Sequence, residues 1–294
     1  MQPVVGIIGF WFVGKAIAHG FGPVVPILYY DPKHSEGNTF EEVVTKSNFI
    51  FVGVPTPMKD GNGAEIDSTI LDGVIEQLNN RIAKLSTFKT SDAPVVIIKS
   101  TVTPNVLMRY TSLYPDLRLV FSPEFLTERT AYLDFMNATR IILGGKRVDT
   151  DAAERLHRIR FLHTPIYHCD LIAASLVKYM CNAFFSVKVS FLNEMRDVVL
   201  NSSSTTSWDQ VVAMFLADQR IGNSHYQVPG PDGKFGFGGK CLPKDLNAII
   251  HYSKEVGCSP NTLEAAWETN LRVRGDKDWN RIEGAVTTKE AKKS

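Results

Sequence analysis

The chain has 294 residues, of which 44% are hydrophobic and 21% are charged, and its formal net charge is +1. This length allows two domains, and the balanced charge gives no reason to expect nucleic acid or an anionic membrane surface as a partner. No apolar run approaches 18 residues and the N-terminus lacks a basic leader, which predicts a cytoplasmic protein without a membrane-spanning segment.

The N-terminal half alternates between strand and helix patterns. Residues 4–9 are apolar and largely β-branched, as in a strand buried on both faces, and a glycine turn, a helix to about residue 19 and a strand at 26–30 follow. Further strands are predicted at 49–54, 95–98, 119–121 and 140–143, and helices at 68–85 and 104–114. This alternation predicts an α/β fold, a Rossmann-type doubly wound parallel sheet whose ligands lie beyond the carboxyl ends of the strands.

From about residue 170 the pattern becomes helical. Residues 170–201 contain neither Gly nor Pro and predict one helix near 30 residues long, apolar on most sides, with the aromatic residues of 184–191 in the core. Shorter helices are predicted at 208–217, 244–254 and 262–272. We therefore expect a cofactor domain at 1–165, a helical central domain at 166–285 and a frayed tail at 286–294, with a linker-like break near 149–151 or 164–170.

The glycine turn is an incomplete dinucleotide-binding fingerprint. Gly9 and Gly14 occupy the first and third glycine positions, which serve the tight turn and helix–strand packing, but Trp11 occupies the second. Asp31 ends the second strand, where a carboxylate suits a ribose 2′-hydroxyl and favours NAD over NADP. Its alternative role is to start the turn before Pro32.

Other polar residues lie where a ligand is expected. Lys178 and Asn182 are four apart on the long helix and could stabilise an oxyanion, unless they mark an exposed edge of that helix. Glu124 and Glu128 follow a strand and could accept a proton, or they could simply begin a helix. Thr101, at another strand end, could hold a water or belong to a helix cap.

The four cysteines show no C-x-x-C pair and no zinc-like spacing with the seven histidines, which predicts reduced thiols and no metal site. His163 and His168 lie five apart in an extended pattern that would not gather them around one ion. Cys241 stands out because residues 235–245 surround it with glycines and with lysines that favour its thiolate. A structural cysteine is the alternative.

Six ordered segments, spread over roughly residues 3–275, resemble the UDP-glucose/GDP-mannose 6-dehydrogenase family. They are residues 99–104, 122–128, 176–184, 190–194, 218–222 and 236–245.

The resemblance implies a four-electron oxidation of a nucleotide sugar, with UDP-glucose to UDP-glucuronate favoured, using two NAD molecules. Cys241 would form the thiohemiacetal and thioester, and Lys178 with Asn182 would stabilise the oxyanion. Asp245 would be the partner carboxylate, and Glu124 would act at the sugar and in hydrolysis. The resemblance also places Thr101 and Glu128 around the catalytic water and the nicotinamide.

The remaining assignments complete the expected site. The cofactor residues are Gly9, Phe12, Val13, Gly14, Asp31, Thr56, Thr101, Glu128 and Lys244. The substrate residues are Glu124, Phe125, Leu126, Lys178, Asn182, Arg220 and Gly238. The family also implies a homodimer in which Arg220 reaches the partner's sugar.

The chain departs from the family pattern in three places. Trp11 replaces a glycine, residues 223–234 form a longer segment than usual, and the chain ends about where a helix leading to a UDP-binding third domain would end. Two rival functions follow. One is a two-electron β-hydroxyacid dehydrogenase, for which Cys241 has no use, and the other is a non-catalytic or partner-dependent homologue that binds sugar nucleotide.

Overall fold

A seven-stranded sheet organises the first part of the chain in a computed structural model that describes residues 2–59, 65–85 and 93–287. The strand order is β2-β1-β3-β4-β5-β6-β7, and all neighbouring strands run parallel except β5 and β6. The strands are β1 (Val5–Ile8), β2 (Ile27–Tyr30), β3 (Phe49–Val52), β4 (Val95–Ile98), β5 (Leu119–Phe121), β6 (Ile141–Gly145) and β7 (Ile166–Cys169).

This topology confirms the predicted doubly wound sheet and adds two features to it. One strand departs from the predicted parallel arrangement, because β6 runs antiparallel to β5. The strand β7 is absent from the predicted elements because its sequence, Ile-Tyr-His-Cys, contains no apolar run. In the structure its residues are only partly buried.

Helices pack against this sheet in the order α1 (Phe12–Phe21), α2 (Phe40–Lys46), α3 (Thr69–Lys84), α4 (Pro104–Leu113), α5 (Ala131–Met136) and α6 (Arg147–Arg160). The expected linker-like break at 149–151 is wrong, because these residues lie inside α6. Asp149 is buried in this helix and accepts a 2.7 Å hydrogen bond from Arg118. The other expected break, at 164–170, contains β7.

The chain divides into two compact units, and the division lies inside the long helix. The first unit comprises residues 1–56 and 68–178, and the second comprises 57–67 and 179–294. The predicted boundary at 165/166 therefore lies 13 residues before this division, which falls about two turns into the helix. Residues 57–67 join the second unit because the Met58 N–H donates to Ala285 and the Thr287 hydroxyl donates to Asp67.

The predicted frayed tail begins with two paired residues. Val286 forms a bridge with Met58, and the Thr287 N–H donates to the Met58 carbonyl. Residues 288–294 lie outside the described residues.

The second unit is mostly helical, as predicted. It contains most of α7 (Leu171–Asn201), followed by α8 (Trp208–Leu216), α9 (Leu242–Glu255) and α10 (Asn261–Val273). One face of α7 is exposed: Met180, Phe184 and Val198 have exposed fractions of 67%, 62% and 58%. The predicted core position of Phe184 is therefore wrong, because Ala183 and Ser186 take the buried face of the helix.

By length and composition alone, α7 is long and apolar enough to cross a membrane. The core helix of a soluble protein meets the same test, and 44% of the apolar window is buried inside the protein. Lys178 and Asn182 lie in that window and are themselves buried, which a lipid-facing position would not allow.

The core of the first unit encloses a histidine. His157, only 3% exposed, makes ring contacts with Phe21, Phe51 and Phe161, and its Nδ1 lies 2.7 Å from the Ala153 carbonyl, to which it donates. Burial lowers the pKa of His157 from 6.5 to about 4, despite the opposing effect of that hydrogen bond.

We expect the His157→Phe variant to lose part of the acid sensitivity of folding. Because the folded pKa of His157 lies below its unfolded value, stability is lost as the pH falls from about 6.5 towards 4, and the loss reaches about 3 kcal/mol. Urea unfolding between pH 8 and pH 4 measures this slope. The exposed His163→Phe serves as control and should keep the wild-type slope, whereas an unchanged slope in His157→Phe would contradict the prediction.

Candidate active site

The glycine turn between β1 and α1 has the close packing that its two glycines predict. Gly9 has φ of +90°, a conformation that L side chains rarely adopt. A Cβ on Gly14 would lie 2.2 Å from the Gly9 carbonyl oxygen, so α1 can approach the turn only without a side chain there. The first N–H groups of α1, at Phe12 and Val13, are the donors that a helix start offers to a phosphate.

Asp31 lies at the end of β2 and holds this turn. Its carboxylate accepts hydrogen bonds from the N–H of Phe10 (2.7 Å) and of Lys33 (2.8 Å). Partial burial acts to raise the pKa of Asp31, but these two hydrogen bonds and the nearby His34 together outweigh it and lower the pKa below 3.8. The carboxylate is therefore ionised at neutral pH, as recognition of a ribose hydroxyl requires, and it also starts the local turn.

Trp11 is the first residue flanking α1, with extended backbone, and its side chain is not packed away. Its exposed fraction is 45%. The turn thus keeps its glycine-dependent geometry around a largely exposed indole at the second position.

The loops after β3 and β4 are joined by their polar residues. The Thr56 hydroxyl donates to the Thr101 carbonyl over 2.8 Å, and the Ser100 hydroxyl donates to the Val54 carbonyl over 2.6 Å. The strand ends therefore bring Thr56 and Thr101 together, as a parallel sheet predicts. The cap of α4 is Thr103 rather than Thr101.

Lys178 and Glu124 form a buried ion pair in the first unit. The Lys178 ammonium donates to the Glu124 carbonyl (2.7 Å) and to its carboxylate (3.1 Å), and both residues are less than 10% exposed. The other carboxylate oxygen accepts the Leu126 N–H over 2.6 Å. The alternative of an exposed helix edge is therefore wrong for Lys178, and Glu124 lies in a loop rather than at a helix start.

The neighbouring expected residues are placed around this pair. Phe125 lies with its ring centroid 4.2 Å from the Arg140 guanidinium and 5.5 Å from the Lys178 ammonium. Glu128 is exposed and begins a 3-10 turn, Glu128–Thr130.

A second polar cluster lies in the second unit. The Asn182 side-chain amide donates to Asp245 over 2.5 Å, and the Lys244 ammonium also donates to Asp245 over 2.5 Å. All three residues are buried. Asp245 thus connects a residue of α7 to the first turn of α9. The charge of Lys244 is paired with the Asp245 carboxylate.

Cys241 lies directly before α9 and its side chain is exposed. The positive end of a helix dipole favours a thiolate at this position. Cys241 and Asp245 are four residues apart, and the Asp245 N–H donates to the Cys241 carbonyl as the first helical hydrogen bond.

The glycine-rich loop before Cys241 is held by residues that the sequence did not reveal. Asn193 accepts the Gly236 N–H over 3.1 Å, and Asn270 accepts the Phe237 N–H over 2.7 Å and donates back to its carbonyl. Both asparagines lie over 30 residues from the loop. The only sequence signal for them is a polar residue inside an otherwise apolar helical pattern.

Gly238 is tightly packed in this loop. A Cβ there would lie 2.2 Å from the Arg274 guanidinium and 2.4 Å from the Asp278 carboxylate. Asp278 in turn accepts the Gly239 N–H over 3.2 Å and pairs with Arg274. Protein packing therefore explains the glycine at 238. Arg220, which is also among the expected substrate residues, is exposed and forms an ion pair with Asp218.

His168 lies close enough to Asp151 and Glu154 to share a metal ion, and Glu65, His251 and Glu255 form a similar group. In the first group His168 pairs directly with Glu154 over 2.6 Å. His163 is not part of it.

A doubly wound sheet with a glycine turn and an acidic residue ending its second strand defines a dinucleotide-binding protein. Residues 31–165 match the NAD binding domain of the UDP-glucose/GDP-mannose dehydrogenase family, and residues 172–272 match the central domain of that family. The chain therefore belongs to the UDP-glucose/GDP-mannose dehydrogenase family, and its cofactor is NAD.

Individual relatives agree with this assignment. The chain is 27% identical over 263 residues to UDP-glucose 6-dehydrogenase TuaD of Bacillus subtilis (strain 168), covering 87% of this chain and 53% of TuaD. It is 30% identical over 244 residues to the UDP-glucose 6-dehydrogenase of Rickettsia conorii, covering 79% of this chain and 51% of that protein. The chain spans about half the length of these curated relatives.

Solved structures share the fold. A UDP-glucose dehydrogenase from Pyrobaculum islandicum superposes with a TM-score of 0.73 at 23% identity, over 92% of this chain and 68% of that chain. The 3-hydroxyisobutyrate dehydrogenase of Mycobacterium tuberculosis gives a TM-score of 0.66 at 16% identity, over 91% and 92%. At these identities the likeness concerns the fold alone.

We expect Asp31→Asn to weaken NAD binding roughly tenfold, because a hydrogen bond to a charged group contributes about 1.5–3 kcal/mol. Trp11→Ala should change the dissociation constant less than about threefold, because its exposed indole does not close the turn. Calorimetric titration with NAD measures both. A tenfold gain in affinity for Trp11→Ala would show instead that the indole obstructs the cofactor.

Gly238→Ala should lower the free energy of unfolding by about 1–3 kcal/mol, because the new Cβ overlaps the buried Arg274 side chain. Alkylation of Cys241 by iodoacetamide, followed by peptide mass spectrometry, should also change in rate because the displaced loop carries that residue. Gly275→Ala is the matched control, since no atom lies within 4 Å of its added Cβ. Equal stability of the two variants would contradict this account.

Proposed function

We propose that the chain is an NAD-dependent dehydrogenase that oxidises the C6 alcohol of a nucleotide sugar to a carboxylate through a covalent adduct on Cys241. The observation that carries this proposal is the position of the Cys241 thiol at the start of α9, in the same helical turn as the buried Asp245–Asn182 pair. A two-electron oxidation of an alcohol has no need of a thiol, whereas oxidation beyond the aldehyde requires a nucleophile added to the carbonyl carbon, which a thiol can supply.

The proposed reaction balances as two oxidations and one hydrolysis. The alcohol first loses two electrons and two hydrogens to become an aldehyde. The Cys241 thiolate adds to the aldehyde carbon as a thiohemiacetal, whose loss of two further electrons leaves a thioester. Water then cleaves the carbon–sulfur bond, which regenerates the thiol and releases the acid. In total, one alcohol, one water and two NAD give one acid, two NADH and two protons.

The cofactor, when bound, accepts the electron pair of each oxidation. The chain's own residues would hold it through the helix start at Phe12 and Val13, the Asp31 carboxylate, and the loops of Thr56 and Thr101. The predicted roles of Glu128 and Lys244 towards the cofactor belong to this proposal. They rest on the family resemblance, because Glu128 is exposed and Lys244 is paired with Asp245.

The buried cations and amides would stabilise the negative charge that develops on the substrate. Oxidation of the alcohol and attack on the aldehyde each place negative charge on the C6 oxygen, which an ammonium or an amide N–H stabilises best in a dry site. Lys178 and Asn182 supply these groups one helical turn apart on α7. Glu124, paired with Lys178, is the proposed proton acceptor for the attacking water.

The substrate proposal follows the relatives, which are UDP-glucose 6-dehydrogenases by name. UDP-glucose is therefore the first substrate to test, with Phe125, Leu126 and Gly238 among the proposed contacts. A cytoplasmic location and a role in polysaccharide precursor supply belong to the same proposal.

A homodimer is part of the proposal as well. The exposed face of α7 carries Met180, Phe184, Phe191 and Val198 at helical spacing, and such an apolar stripe favours burial against a second copy. Arg220, exposed in a single chain, is then available to the sugar nucleotide bound by the partner.

The test is the stoichiometry of the reaction. With limiting UDP-glucose and excess NAD, the wild type should form two NADH per sugar and yield the acid, as measured by absorbance at 340 nm and mass spectrometry. Cys241→Ser should yield no acid, because an ester-forming hydroxyl is a far weaker nucleophile than a thiolate. Cys258→Ser is the control, since Cys258 is also exposed but lies at the far end of α9.

The rivals predict other results. One NADH per substrate, unaffected by Cys241→Ser, would favour a two-electron hydroxyacid dehydrogenase. A folded protein that binds NAD but forms no NADH with any nucleotide sugar would favour a non-catalytic homologue.

A further inference from the structure

Lys99 is a third charged residue beside the Glu124–Lys178 pair, and the proposed reaction does not use it. It follows β4, is 7% exposed, and its ammonium donates to the Pro123 carbonyl (3.2 Å) and the Ser122 hydroxyl (3.4 Å). Both acceptors directly precede Glu124. Lys99 thus holds the loop that carries the proposed proton acceptor.

The cluster contains two cations and one anion in a buried place. Both oxygens of the Glu124 carboxylate are already engaged, one with Lys178 and one with the Leu126 N–H. Lys178 donates to a carboxylate, whereas Lys99 donates only to neutral oxygens, one of them at a long distance. An excess buried charge is costly, and the cation with the weaker partners is the one that loses its proton.

The other charged groups near Lys99 are consistent with Lys99 losing its proton before Lys178. Burial lowers the pKa of Lys99 to about 8, the Glu124 charge opposes this shift, and the Lys178 charge adds to it. His157 on α6 also interacts with Lys99, but the pKa of His157 is about 4, so it is neutral where Lys99 titrates. A cavity of about 260 Å³ borders Lys99, Glu124 and His157. Asp134 and Arg140 also line this cavity, which gives protons a route to water.

We propose that Lys99 is a positioning residue whose gain or loss of a proton sets how strongly Glu124 acts as a base. This inference rests on the proposed function, in which Glu124 accepts a proton. As an ammonium, Lys99 leaves Glu124 facing two cations, which weakens its hold on a proton. As a neutral amine, it leaves Lys178 as the single cation, and Glu124 becomes the stronger base.

The first test needs neither substrate nor cofactor. In protein labelled with ¹³C-lysine, one Cε signal should titrate near pH 8 and be missing in Lys99→Arg. Glu124→Gln should move this titration to lower pH and Lys178→Met should move it to higher pH. Lys46→Arg, at an exposed lysine, is the control and should remove a different signal. A Lys99 signal that does not titrate near pH 8, or that does not respond to either neighbouring variant, overturns the inference.

The second test uses the pH dependence of the hydrolytic step, measured as acid release after both NADH have formed. In the wild type this rate should rise about threefold or more through pH 8, as Lys99 loses its proton. Lys99→Arg, permanently charged, should stay at the lower level, and Lys99→Met, permanently neutral, should stay at the upper level. A rise that persists in folded Lys99→Arg overturns the inference.

The two tests separate the inference from the proposed function. If no nucleotide sugar is oxidised, the proposed function fails, and the NMR titration still decides whether Lys99 is the titrating member of the cluster. Circular dichroism checks that each variant is folded. If Lys99→Met does not fold, the conservative variant Lys99→Arg still tests whether the rise in rate depends on the proton of Lys99.

Discussion

The ion pair between Lys178 and Glu124 is the constraint on which the proposed chemistry depends. A buried lysine is tolerated only with close partners, and Lys178 finds them in the carbonyl and carboxylate of a single residue. This requirement fixes the loop after β5 against α7. It also explains why a polar residue interrupts an otherwise apolar helix, and it places a carboxylate and an ammonium in one buried cluster.

Packing, rather than ligand binding, accounts for much of the glycine content around Cys241. Gly236 has φ of +66° and Gly238 lies against Arg274, so the loop is shaped by the protein before any substrate arrives. The Asn193 and Asn270 hydrogen bonds fix its backbone. A reactive thiol on a loop needs such support, because misplacement by about 1 Å is costly to a covalent step.

The two polar clusters have different electrostatic characters. The cluster of Asn182, Lys244 and Asp245 balances one cation with one anion, and its third member is a neutral amide. The cluster of Lys99, Glu124 and Lys178 carries one more cation than anion. The proposed covalent chemistry belongs to the balanced cluster and its neighbour Cys241, and the proposed proton acceptor belongs to the unbalanced one. A pH-dependent charge is therefore expected beside Glu124, at Lys99.

The doubly wound fold, the long helix and the cofactor turn can be predicted from the amino-acid sequence, because periodicity and glycine positions are local signals. The sequence also singled out Cys241, Lys178, Asn182 and Glu124 by residue type and spacing, and Asp245 through the family resemblance. Three features emerge only in the folded chain: β6 runs antiparallel to β5, the two units divide inside α7, and Asn270, Arg274 and Asp278 hold the cysteine loop. Those outcomes depend on contacts between residues far apart in the chain. The charge of Lys99 likewise depends on burial and on Lys178, some 80 residues away, which no local pattern records.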